Sequence, residues 1–160
     1  RTKQMADRKI EKAPFNAVRT SVLAVSSATS LGDSDCGRLI AVTAGNYNIN
    51  LPAAKAGRTV KFLIAASSTD NMTIKVIGDD HLMGRVAVTS TTADNTGIPQ
   101  VVDDISGELV ELNIDSNVAT TGGLTGDVID LYCAVDGTWI VNAHLLTTNG
   151  NPGTIATMTT

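Results

Sequence analysis

Residues 128–146 read VIDLYCAVDGTWIVNAHLL. Two apolar, β-branched runs, Val128–Val135 and Thr138–Leu146, flank Asp136–Gly137. An Asp-Gly pair accepts the positive φ angles of a tight two-residue turn, so the stretch predicts a β-hairpin. Trp139, the single tryptophan, follows the turn. A large amphipathic ring there is expected to anchor the hairpin in the core; left exposed it would mark a contact surface.

Working back from this hairpin, the same texture recurs. Arg58–Ala66 (RTVKFLIAA) is the clearest single strand, and Met72–Ile77 (MTIKVI) alternates cleanly. Ser67–Asn71 between them has turn chemistry, so these two runs are expected to pair as a hairpin with a five-residue loop. Gly37–Thr43 (GRLIAVT) is a strand, and Gly45–Asn50 (GNYNIN) sets Tyr47, Ile49 and Leu51 on one side before Pro52. Leu82–Thr89 is a strand in which Gly84 marks a bulge or bend. Gln100–Asp104 and Leu109–Ile114 are short strands, and Asp115–Gly126 is a loop. Short strands at about ten-residue spacing, separated by Gly, Asn and Asp, predict an all-β sandwich or barrel. No fixed period links them, which argues against a solenoid or propeller.

The organisation expected is a basic N-terminal arm over residues 1–20, a β-domain over 21–146 and a flexible Thr-, Gly- and Asn-rich tail over 147–160. The arm reads as a short helix or an extended segment up to Pro14, because Ala6, Ile10 and Ala13 offer too little apolar surface to hold a helix alone. It holds six basic and two acidic residues, a net +4, whereas the remaining 140 residues hold six basic and fourteen acidic, a net −8. A basic arm on an acidic body is suited to an anionic partner, or is simply a solvated terminus. The acidic body opposes binding to phosphate, so no nucleic-acid partner is expected. Aromatic residues make up only 3% of the chain, too few for single-strand stacking platforms. No apolar run spans a bilayer and no signal peptide is read, so no membrane partner is expected.

Catalytic and metal signals are weak. No phosphate-binding loop, nucleophile elbow or zinc-protease motif occurs. Asp79–Asp80 and Asp103–Asp104 are paired carboxylates of the kind a hydrolase uses, but each pair sits beside a turn, where Asp is ordinary turn chemistry. His81 follows the first pair without an identifiable nucleophile, and His144 falls within a strand. The glycines of Thr121–Gly126 have no nearby Lys or Arg to make a phosphate site. Cys36 and Cys133 lack metal-ligand spacing and are expected to be buried free thiols, with a disulfide as the alternative. No catalytic residue, cofactor or metal is therefore assigned, and the chain is not expected to be an enzyme.

Two stretches resemble small β-proteins of phage heads and tail fibres. The first is GRLIAVTAGNYNINLPAAKAGRTVKFLI, residues 37–64, where Leu51, Pro52, Ala53, Ala54 and Gly57 carry the pattern. The second is GDVIDLYCAVDGTWIV, residues 126–141, where Gly126, Asp127, Leu131, Gly137, Trp139 and Val141 carry it. The chain is thus similar to capsid decoration (cement) proteins. That resemblance implies a β-tulip-like body, a place on the outer capsid surface of a virion after synthesis in the host cytoplasm, and the major capsid protein as partner. It also implies a homo-oligomer, with a trimer favoured and a dimer possible. The arm residues Arg8, Lys9, Lys12 and Arg19 would meet acidic patches of the shell, and Ile10 and Phe15 would be apolar anchors. A fibre β-domain that binds a host-surface carbohydrate or receptor is the alternative. The absence of a long repetitive stalk favours decoration.

Overall fold

The structure, a computed structural model, describes residues 21–45, 47–66, 71–90, 109–114, 124–147 and 156–159. The chain runs β1 (Val22–Val25), β2 (Thr29–Ser30), a 3-10 turn (Asp33–Asp35), β3 (Leu39–Val42), β4 (Tyr47–Asn50), β5 (Thr59–Ile64) and β6 (Met72–Lys75). It continues through β7 (His81–Ser90), β8 (Glu111–Ile114), β9 (Val128–Val135), β10 (Thr138–Thr147) and β11 (Ala156–Thr159). One sheet has the order β1-β3-β5-β9-β10-β7, the other β11-β8-β6-β4-β2. The all-β expectation holds, and the form is a sandwich of two mixed sheets. At one edge a single bridge, Leu82 to Leu109, ties β7 to the approach to β8.

The alternation of apolar residues builds the core. Val60, Phe62 and Ile64 on β5 point inward from the first sheet, and Met72 and Ile74 on β6 point inward from the second. Ile129, Leu131 and Cys133 of β9 and Trp139, Val141, Ala143 and Leu145 of β10 join the same cluster. Each fully buried large side chain contributes about 1.5–3 kcal/mol of transfer free energy. The cluster therefore dominates the stability, whereas isolated ion pairs at the surface each contribute at most about 1 kcal/mol.

The predicted hairpin of β9 and β10 is present: the strands are antiparallel, with a register shift near the Asp136–Gly137 turn. The other predicted hairpin is not. β5 lies in the six-stranded sheet and β6 in the five-stranded one, so they face each other across the core instead of pairing side by side. β5 thus ends in one layer and β6 begins in the other. Turn residues permit either course, and pairing is decided by which partner each strand finds.

The same alternation governs the whole first half. β1, β3 and β5 are parallel neighbours in one sheet, and β2, β4 and β6 are parallel neighbours in the other. The chain thus winds three rungs of a flattened coil, and each crossover between parallel strands is a strand of the opposite sheet. This corrects the exclusion of a solenoid for the first half. Val22 pairs Leu39 and Leu39 pairs Lys61, offsets of 17 and then 22 residues. Thr29 pairs Ile49 and Ile49 pairs Ile74, offsets of 20 and then 25. Unequal rungs leave no sequence period to detect.

Residues 147–160, read as a tail, contain β11, which pairs antiparallel with β8 at the edge of the five-stranded sheet. Gly84 answers a close approach instead of a bulge. It pairs in continuous register with Val141, its φ is 129°, and a Cβ there would run into the Val141 carbonyl.

Candidate functional site

The arm residues Arg8, Lys9, Ile10, Lys12, Phe15 and Arg19 lie outside the described residues, as do Asp103, Asp104 and the predicted strand Gln100–Asp104. The remaining candidates are placed as follows.

The two stretches that carry the resemblance meet. Trp139 is fully buried, and its indole Nε1–H donates to the Pro52 carbonyl at 3.1 Å. The Gly137 N–H donates to the Ala54 carbonyl at 2.9 Å, and the Gly57 N–H donates to the Cys133 carbonyl at 2.8 Å. Asp136 accepts from the Ala56 N–H at 2.8 Å. Asp80, one of the candidate catalytic carboxylates, accepts from the Ala54 N–H at 2.6 Å. The Arg58 guanidinium donates to the Ala53 carbonyl and pairs with Asp33. The 51–57 loop is thus held at six of its backbone groups by the β9–β10 turn and its neighbours. These residues satisfy main-chain donors and acceptors that burial would otherwise leave unpaired. Asp80 is occupied in this way, and Asp79 is exposed beside it.

Asp127 of the second stretch is a buried carboxylate. It accepts from the Leu124 N–H at 2.9 Å and from the Leu146 N–H at 3.0 Å, which ties the approach to β9 to the end of β10. Sequence reasoning placed Asp127 in a motif without a role; only the tertiary contact to Leu146 reveals it.

His144 is exposed on β10, with Nε2 3.0 Å from the Thr89 hydroxyl. His81 opens β7 half-buried, and its Nδ1 has no hydrogen-bond partner. Both cysteines are free thiols, Cys133 buried and Cys36 half-buried. Burial pushes both thiols above their ordinary pKa, against the opposing pull of Arg58. No disulfide joins them, so the alternative of a Cys36–Cys133 bridge is not realised in this fold. Among the described residues no group of three or more His, Cys, Asp or Glu is placed to hold a metal ion.

The two outer faces of the sandwich differ sharply. On the five-stranded sheet, cross-strand neighbours are polar: Asn48, Thr73 and Asn113 form one row, and Ser30, Asn50, Lys75 and Glu111 the next. Thr73 donates to Asn113, and Lys75 pairs with Glu111. The six-stranded sheet instead shows apolar rows around one central pair. Met83, Ile140, Tyr132 and Thr59 share a row, and Ala87, His144, Val128, Leu63, Ala41 and Ala24 share another. Between them run Arg85, Asn142, Asp130, Lys61, Leu39 and Val22. Three of the exposed large apolar side chains, Val22, Met83 and Tyr132, sit on this face. Lys61 Nζ lies 3.1 Å from Asp130 Oδ1, on the two middle strands β5 and β9. A shallow groove of about 330 Å³ runs beside them, lined by Arg38, Thr59, Lys61, Asp130 and Tyr132 among others. Val22 lies on the edge strand β1, Met83 on the opposite edge strand β7 and Tyr132 on β9, so these apolar side chains are spread across the face, whose centre is marked by the partly exposed Lys61–Asp130 pair. Sequence reading gave Tyr132 and Lys61 no site role, because the face assembles from strands far apart in the chain.

Comparison with known protein families, with curated proteins and with solved structures found no match.

Proposed function

We propose that this protein is a capsid decoration protein, which binds the outer face of a phage head and stabilises contacts between capsid subunits. The observation that carries the reading is that the two stretches with the resemblance to phage head and fibre proteins, residues 37–64 and 126–141, pack together and are joined by the Trp139–Pro52 hydrogen bond. That the two stretches pack together supports reading them as one element. The charge division adds to it: a +4 arm on a −8 body has the polarity of a segment that docks on an acidic shell. A homo-oligomer so equipped engages several capsid subunits at once, and multivalency raises the cost of separating them.

The test is co-sedimentation of the purified protein with undecorated phage heads. Binding at a saturating ratio, with a raised head melting temperature, is the expected result. Deletion of residues 1–15 is expected to abolish binding while the β-body stays folded. Failure to bind any head in a panel would overturn the reading, and a specific hit on a glycan array would replace it with the fibre alternative.

A further inference from the structure

We infer that the outer face of the six-stranded sheet is a self-association surface, on which a second copy of this chain packs face to face about a two-fold axis near the Lys61–Asp130 pair. Three observations converge on that occupant. The pair sits on the third and fourth of six strands, at the middle of the face, and both side chains remain about half exposed at 54% and 43%. A two-fold axis beside it sets Lys61 of each copy against Asp130 of the other, so the face is complementary in charge to itself. On one side of the pair runs the row with Tyr132 and Met83, at 44% and 38% exposure, and on the other the row in which His144 is exposed between the half-buried Ala87 and Val128. An isologous contact would cover them together.

The available area is sufficient. Six strands about 4.8 Å apart, with outward residues about 6.8 Å apart along each strand, offer on the order of 500 Å² per copy. Two such faces bury on the order of 1,000 Å², the lower bound for a specific interface. The five-stranded sheet is the weaker candidate, because its outward rows are polar and its Lys75–Glu111 pair is less exposed than Lys61–Asp130, at 32% and 28%. This inference is independent of the capsid reading, since it concerns the isolated protein. Face-to-face packing about a two-fold axis closes at two copies.

The experiment is sedimentation equilibrium on the wild type, K61E, D130K, the K61E/D130K double variant and an equimolar mixture of the two single variants. Circular dichroism on each confirms the fold, which these surface changes leave intact. The wild type is expected to be a dimer. Each single variant sets like charges against each other and is expected to weaken the dimer roughly tenfold or more. The double variant restores self-complementarity and the dimer. The mixture is expected to form a one-to-one heterodimer, because the central pair is doubly negative in K61E and doubly positive in D130K. Repair of an ion pair within one chain cannot produce that last result. A wild type that stays monomeric across the concentration series would overturn the inference. So would an assembly of three copies, single variants that associate as the wild type does, or a mixture that stays monomeric.

Discussion

Trp139 and Pro52 are 87 positions apart, yet the indole N–H of one donates to the carbonyl of the other inside the core. The contact joins the β4–β5 connection of the coiled first half to the β9–β10 hairpin of the six-stranded sheet. A proline has no N–H of its own to offer, so its carbonyl is the polar group at that position that burial obliges to pair. Trp139 fills the space and satisfies that carbonyl with one side chain.

Trp139→Phe keeps most of the apolar surface but removes the donor and leaves a small void. Loss of about 2–4 kcal/mol is expected, from the unpaired buried carbonyl and the lost packing together. Urea denaturation followed by far-ultraviolet circular dichroism measures it. A loss below about 0.5 kcal/mol, the range of ordinary surface substitutions, would show that the hydrogen bond does not hold the loop.

Asp127→Ala is expected to cost about 2–4 kcal/mol, because the N–H groups of Leu124 and Leu146 lose their acceptor. Hydrogen exchange is the sharper readout. Protection should fall first at the Leu146 amide, at the far end of β10, and stay high in the middle of β9 if the carboxylate acts as a local tie.

Gly84→Ala asks a side chain to enter the space of the Val141 carbonyl at a φ of 129°. Such backbone strain alone costs about 1–3 kcal/mol, and the steric conflict with β10 adds to it. The expected outcome is a lowered melting temperature and weakened β7–β10 pairing. Gly137→Ala is the control: its φ is also positive, but open space surrounds it, so the smaller penalty of the two is expected there.

The cysteines predict an alkaline limit to stability. Burial raises both thiol pKa values, and the Cys133 thiol donates to the Val135 carbonyl only while protonated. A folded pKa above the unfolded one gives stabilisation that is complete below the ordinary thiol pKa and is lost as pH rises through the folded value. Melting temperature should therefore fall above the ordinary thiol range, and Cys133→Ala should flatten that fall. At neutral pH, maleimide should label native Cys133 far more slowly than the unfolded chain.

The β9–β10 hairpin was legible because everything that specifies it is local. The Asp136–Gly137 turn sets the reversal, and alternation on either side sets the faces. The buried role of Trp139 followed from the same local pattern. β5 and β6 show the limit of that logic. Each was visible as a strand, since periodicity is a property of the strand itself. Their assignment to opposite sheets was not, because a polar turn links a hairpin and an interlayer crossing equally well. The coil was hidden by rungs of unequal length. β11 was hidden by a Thr-rich run with little apolar alternation to mark it.

What the amino-acid sequence determined by itself is the strand content, the inward apolar set and the division of charge between arm and body. These depend on residues a few positions apart, where side-chain alternation and turn chemistry act directly. The tertiary structure decided which strands are neighbours, and with them the anchoring of Pro52 by Trp139, the tie from Asp127 to Leu146 and the central place of Lys61 and Asp130 on their sheet. Those relations arise when non-local strands bury a common core. Nothing in the residues between them records which distant partner completes the burial.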